Sequence, residues 1–314
     1  MSFQEYEKIS SPSGATLACR SIAAGKSPLA VIQINHGLAE HSLRYARFSE
    51  FLADRGFAVY AHDHRGHGYT TAPDAMRGSF ARTNGVQAVI ADTAAVHGLI
   101  LRRHPGSPVI VFGHSMGGLI ALNYVLKHSR AIAGAAIWNA NFSAGLAGRA
   151  AQALLIYERM RLGSDVPSRL LPKLTFQAWA RTAQDRQNDC DWLTHDRTEA
   201  EAYATDPLCG WDATVAMWQD VFQMVFNGAR ERTLKQVRRD LPFHLAGGNE
   251  DPATNNGAAV LDLAQRLRAG KFNNVTHKIY AGTRHEGLNE LNRDTIMQDF
   301  AAWAEQVATR SARE

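Results

Sequence analysis

The chain has 314 residues, of which 45% are hydrophobic and 20% charged, and that length suits one globular unit with room for an insertion. Lys and Arg total 34 against 30 Asp and Glu, a formal charge of +4, and the basic residues are dispersed, so nothing invites nucleic acid as a partner. Cys19, Cys190 and Cys209 suggest neither a disulfide framework nor a zinc set, and the lack of a basic start with an apolar core, or of any bilayer-length apolar stretch, sets cytoplasmic residence as the expectation.

Two β-rich stretches, 6–10 and 16–22, flank Ser11-Pro12-Ser13-Gly14 and predict an antiparallel hairpin at a sheet edge. An apolar strand at 29–35 then runs into His36-Gly37-Leu38-Ala39-Glu40-His41. Gly37 lets the backbone turn tightly, which makes the amide of Leu38 a candidate donor to an oxyanion. A helix is predicted over 43–55 and a strand over 57–61. The next loop, His62-Asp63-His64-Arg65-Gly66-His67-Gly68, crowds residues of metal-ligand type. Their order differs from the H-x-H-x-D-H pattern, and Arg65 would put a positive charge beside the ion. A loop held by hydrogen bonds from Asp63 and Arg65 is the better reading, and no metal is expected.

After a helix over 84–104, Pro108 opens the apolar run 109–112, and Gly113-His114-Ser115-Met116-Gly117 follows directly. A G-x-S-x-G between strand and helix forces a sharp turn that exposes the serine hydroxyl. The helix predicted over 116–128 aims its N-terminus at Ser115, and the amide of Met116 is the second candidate oxyanion donor. Strand and helix alternate from 29 to 138, which predicts an α/β fold with a mostly parallel sheet and helices on both faces.

The alternation breaks between 139 and 239, where helical patterns run without a convincing strand, and resumes at Leu241. This predicts a core formed by 1–138 and 240–314, with 139–239 inserted as a helical lid. Within the lid, Trp211, Val215, Trp218, Phe222 and Val225 share a helical face that Met217, Val221 and Met224 widen. Leu146, Ala150, Leu154 and Tyr157 form another. Trp211, Val215, Met217, Trp218, Val221, Phe222 and Met224 are candidates to line an acyl tunnel; the alternative is that they pack on the sheet and on each other.

A serine is a weak nucleophile without a base and an orienting acid. Asp251 follows the apolar stretch 241–246 and the turn Gly247-Gly248-Asn249-Glu250, and His285 follows a candidate strand at 275–280. Both therefore fall on loops beyond strand carboxyl ends, where open α/β sheets meet ligands. Ser115, Asp251, His285 is also the chain order of one hydrolase class. Glu250 is the chemical rival of Asp251, whereas Asp262 falls inside a helix pattern. Of the 13 histidines, His277 lies within a strand, while His97, His104 and His128 lie on or after helices.

These separated motifs resemble those of the monoacylglycerol lipase and lysophospholipase group of α/β-hydrolases. The likeness is carried by His36 to Ser42 with Arg44-Tyr45, by His62 to Gly68, by Gly113 to Gly118, by Thr205-Asp206-Pro207-Leu208, and by Gly282 to Glu286 with Leu288-Asn289-Glu290. It implies a triad of Ser115, Asp251 and His285 with the amides of Leu38 and Met116 as the oxyanion hole. It implies a small-molecule substrate, a lipid-like monoester such as a monoacylglycerol, and no cofactor. Lysophospholipase, small-ester carboxylesterase and proline-iminopeptidase-like activities are alternatives, as is a non-catalytic binding protein on the same fold. Transient contact with a membrane surface and the oligomeric state are left open.

Overall fold

The computed structural model describes residues 2–25, 27–143 and 145–311. Among these residues eight strands form one sheet in the order β1-β2-β4-β3-β5-β6-β7-β8. β1 (Glu7–Ser10) and β2 (Thr16–Ile22) make the antiparallel edge, and β3 (Val31–Asn35), β4 (Ala58–His62), β5 (Val109–His114), β6 (Gly134–Trp138), β7 (Phe243–Gly248) and β8 (Val275–Tyr280) run parallel to one another. This is the mostly parallel sheet that the alternating pattern predicts, in the α/β-hydrolase architecture that the resemblance implies.

Side chains on successive strand residues point to opposite faces, and both faces are covered. Val111, Ala135, Ile137, Phe243 and Leu245 face α2 (Gly85–Arg103), α3 (Met116–His128) and α10 (Ala258–Ala269). Ile110, Phe112, Ala136 and Trp138 face α1 (Ala46–Ala53) and α11 (Arg293–Ser311). Central strands buried on both sides read as continuous apolar runs, which is why they were visible in the sequence.

Among the described residues of 139–239 there are six helices: α4 (Gly145–Leu162), α5 (Leu171–Leu174), α6 (Phe176–Ala180), α7 (Arg197–Thr205), α8 (Val215–Ala229) and α9 (Glu231–Leu234). They are not one layer. α8 packs on α2 and α3, and so joins the cover of the sheet, whereas α4 packs on α8. The expected helical face from Trp211 onward is also displaced. Thr214 starts α8 by accepting the Met217 N–H at its side-chain oxygen, which leaves Trp211 outside the helix. The expected helix over 43–55 begins as a 3-10 turn, Ser42–Tyr45, before α1, because Asp63 takes both the Ser42 N–H and its hydroxyl. Among the described residues no helix is long and apolar enough to cross a membrane.

Candidate active site

The chain turns sharply where β5 meets α3. Ser115 sits there at φ 56°, ψ −120°, a conformation that costs a residue with a side chain about 1–3 kcal/mol. The flanking glycines answer to crowding: a Cβ on Gly113 would lie 2.1 Å from the Gly117 carbonyl oxygen, and one on Gly117 would lie 2.0 Å from that of Asn35. The loop after β3 passes equally close, since a Cβ on Gly37 would be 3.5 Å from that of Ser115. Leu38 and Met116 consequently border the same cavity as Ser115.

The loops after β7 and β8 bring in the other two groups. His285 Nε2 is 2.9 Å from Ser115 Oγ, and its Nδ1 is 2.9 Å from Asp251 Oδ1. Asp251 is fully buried, so each of its oxygens needs partners. Oδ1 also accepts the Ala253 N–H, and Oδ2 accepts from Asn139 Nδ2 at 3.0 Å and Thr254 Oγ1 at 2.7 Å. Burial alone would raise the Asp251 pKa, but His285 and these donors outweigh it and hold the carboxyl below its usual range. Glu250, itself half-exposed, points elsewhere, to His195 at 3.2 Å. Of the two rival acids, only Asp251 meets the histidine.

His285 is gripped from behind as well. Its carbonyl lies 2.9 Å from His114 Nε2, and the Trp192 ring packs 4.8 Å from its imidazole. Glu290 steadies the same loop by accepting the N–H groups of Arg284 and Leu291. Beside His114, Arg44 makes a two-pronged pair with Glu286, at 2.6 and 2.7 Å, and a bond to Glu40. Glu40 also accepts from Gly37 N–H and the Tyr45 hydroxyl, tying the loop after β3 to the loop that carries His285. Burial opposes charge on His114, yet the hydrogen bond and charge of Glu40 raise its pKa.

The histidine-rich loop after β4 has a different logic. Asp63 spends its carboxylate on Ser42 and on the Tyr69 N–H, and Arg65 pairs with Asp92 at 2.8 Å and donates to the Phe80 carbonyl. Burial pushes His62 down to about 4 and His67 to about 3, so these imidazoles are neutral. Among the described residues one group has metal-ligand atoms within 4.8 Å of one another: His41, Asp206 and Cys209. There His41 Nε2 bonds Asp206 Oδ2 at 2.9 Å, which fastens the loop after β3 to the segment following α7.

Above Ser115 opens a cavity of about 810 Å³, lined mainly by apolar groups from α3, α4, α5, α6 and α8. Trp218, Val221 and Phe222 border it, as does Leu154 of α4. Four candidates do not. Val215, Met217 and Met224 are fully buried in the core against α2 and α3, because α8 turns that face to the sheet's covering helices. Trp211 lies instead against His67, ring centres 4.8 Å apart, with its indole N–H on the Leu208 carbonyl. Asn139, Thr254, Trp192 and His114 had gone unnoticed in the sequence. His114, between Gly113 and Ser115, is the one with a local signal, its place inside the elbow.

The family described as "Serine aminopeptidase, S33" matches residues 26–292. Human monoglyceride lipase is 26% identical over 307 residues, 97% of this chain and 91% of that protein. The monoacylglycerol lipase of Mycolicibacterium smegmatis is 24% identical over 281 residues, 88% of each. Among solved structures, a thermostable carboxyl esterase from Bacillus coagulans in complex with glycerol superposes with a TM-score of 0.87 at 21% identity, covering 97% of this chain and 98% of the other.

Proposed function

Because this chain belongs to the α/β-hydrolase family described as serine aminopeptidase, S33, and is a serine ester hydrolase of the monoglyceride lipase type, we propose that Ser115, His285 and Asp251 form its catalytic triad and that its substrate is a long-chain acyl monoester such as a monoacylglycerol. His285 takes the Ser115 proton as Oγ attacks the ester carbonyl. The amides of Leu38 and Met116 receive the charge that develops on the carbonyl oxygen. Asp251 holds the imidazole tautomer and balances the imidazolium. His285 then protonates the departing alcohol, and a water activated by the same histidine releases the acid.

The observation that carries this reading is the unbroken chain Ser115 Oγ, His285, Asp251, each link 2.9 Å, opening into an apolar cavity of about 810 Å³. That volume lies toward the upper end of ligand sites, which favours a long acyl chain over a small ester. An aminopeptidase needs a carboxylate beside the nucleophile for the substrate's free amine, and no Asp or Glu is among the described residues lining the cavity. A non-catalytic binder would have no use for a strained serine on a histidine.

Exposed Leu146, Tyr157 and Met160 on α4, beside Arg149, Arg159 and Arg161, support transient contact with an anionic lipid surface. A fluorophosphonate probe tests the enzyme reading: covalent label on Ser115, with turnover of p-nitrophenyl and glyceryl esters rising toward long chains, is expected. An unlabelled, folded protein that turns over neither series refutes it.

A further inference from the structure

Where the loop after β3 meets the segment following α7, three side chains of metal-ligand type converge, and the proposed triad uses none of them. His41, Asp206 and Cys209 each offer one ligand atom, and these atoms lie within 4.8 Å of one another. Asp206 and Cys209 share a tight turn, closed by the Cys209 N–H on the Asp206 carbonyl at 3.0 Å and by the Leu208 N–H on Asp206 Oδ1 at 2.8 Å. A carboxylate and a thiol thus stand three residues apart on one turn. His41 comes from the facing loop, its Nε2 2.9 Å from Asp206 Oδ2.

Two further observations point to a cation. His41 is buried, and its Nδ1 has no hydrogen-bond partner among the described residues, a state that buried polar atoms rarely keep. The strongest fields at Cys209 come from Arg44, Glu40, Asp206 and Glu286, three carboxylates to one guanidinium. Arg44 is already matched by Glu286 through two hydrogen bonds, so the surplus at this place is negative and a dication neutralises it. The donor set selects the metal. Imidazole, carboxylate and thiolate together suit zinc, whereas calcium and magnesium take oxygen ligands. Three protein ligands leave a fourth tetrahedral position for water, and Asp206, with 28% of its side chain exposed, marks the side from which an ion enters.

We propose that His41, Asp206 and Cys209 form a zinc site and that the bound ion is a reversible brake on the loop after β3. The Cys209 thiol loses its proton to solvent as the sulfur coordinates. Ligand atoms around a tetrahedral zinc stand about 3.3–3.8 Å apart, so binding draws the two segments together by up to about 1 Å. The loop has little slack to absorb that shift. Ala39 sits at φ 56°, and its carbonyl is held by the Gly210 N–H and the Tyr203 hydroxyl, both at 3.0 Å. Leu38, the proposed oxyanion donor, is the residue before it, and a displacement of about 1 Å at a catalytic group lowers turnover about a hundredfold. The metal site stands independently of the triad; its effect on turnover rests on the ester-hydrolase reading above.

Cobalt(II) reads the site directly, because a thiolate on cobalt gives a charge-transfer band in the near ultraviolet that imidazole and carboxylate ligands do not. Chelator-treated protein titrated with cobalt is expected to develop that band at one ion per chain, and zinc to remove it. Cys209→Ser should abolish the band, Asp206→Asn should weaken binding about tenfold or more, and Cys190→Ser should retain it. Zinc at micromolar concentration is expected to raise the melting temperature by a few degrees and to lower kcat on glyceryl monolaurate about tenfold or more. Chelator should reverse both effects, and neither should appear with magnesium, with calcium or in Cys209→Ser. A band that is absent, or that survives Cys209→Ser, overturns the site. Zinc-bound protein with undiminished kcat overturns the brake. Chelated wild-type protein inert toward the ester would instead defeat the ester-hydrolase reading, while the cobalt band still judges the site.

Discussion

The floor and the roof of the site are built on opposite principles. On the floor, Ser115, Asp251 and His285 stand on loops at strand ends, and each polar atom is assigned: Asp251 alone is met by His285, Ala253, Asn139 and Thr254. In the roof, α4 and α8 present apolar side chains to the cavity with little directional bonding, and α4 leaves Leu146 and Met160 more than four-fifths exposed. A hydrogen-bonded floor holds geometry to tenths of an ångström and tolerates no change of chemistry. An apolar roof tolerates a change of shape and answers with a change of preference. On the function proposed above, reaction type therefore resides below and selectivity above.

The sharpest break is at the nucleophile. Ser115→Ala should cost on the order of a million-fold in kcat while the melting temperature holds or rises; substantial residual turnover of a glyceryl ester would remove the floor from the chemistry. Next comes the acid. Asp251→Asn should cost about ten-thousand-fold in kcat through the wrong imidazole tautomer, whereas Glu250→Gln loses only a half-exposed pair with His195, an interaction worth about 0–1 kcal/mol. Steady-state kinetics on both variants would expose a reversed ranking.

The roof is sharpened by two residues of one helix. Phe222 lines the cavity and Met224 does not. Phe222→Ala should move the optimum acyl length, read from turnover across a series of monoesters. Met224→Ala should leave that profile alone and lower stability by about 2–5 kcal/mol, as large-to-small changes in a packed core do. A shifted profile in Met224→Ala would merge the two faces of α8.

The smallest effect concerns how α8 is held to the sheet side. Burial pushes the Asp220 carboxyl up to about 7, and the group lies against the first turn of α2, where a Cβ on Gly85 would strike it. A pKa raised in the fold contributes stability that is complete below the unfolded value, about 4, and is lost as pH climbs through about 7. Asp220→Asn should therefore gain in melting temperature relative to the wild type as pH rises over that window. A constant difference between the two would show that Asp220 is ionised throughout.

Much of the floor was readable in advance because strand, elbow and helix are local patterns. The run 109–112 and the glycines around Ser115 announce a turn without knowledge of anything distant. Asp251 was favoured over Glu250 by position alone, and the physical reason for it emerges only in three dimensions, where Asn139, 112 residues away, turns its amide onto Oδ2. Trp192 on His285 is equally silent, since ring contacts across a fold leave no spacing behind. The roof was read less well for a different cause. An apolar helical face has the same period whether it meets a cavity or a core, so Met217 and Met224 could not be told from Trp218 and Phe222 until α8 was seen against α2 and α3. Trp211 was lost to a cap that Thr214 supplies.

The left-handed backbone at Ser115 sets two aims against each other. Glycine would occupy that turn without the steric penalty that a side chain meets there, so a chain optimised for lifetime alone would place glycine at the elbow and, on the triad proposed above, hydrolyse nothing. Holding a hydroxyl at the tip of the elbow keeps part of the folding free energy in reserve at one backbone position. Durability and turnover are thus maximised by different sequences, and the divergence can be localised to a single pair of dihedral angles.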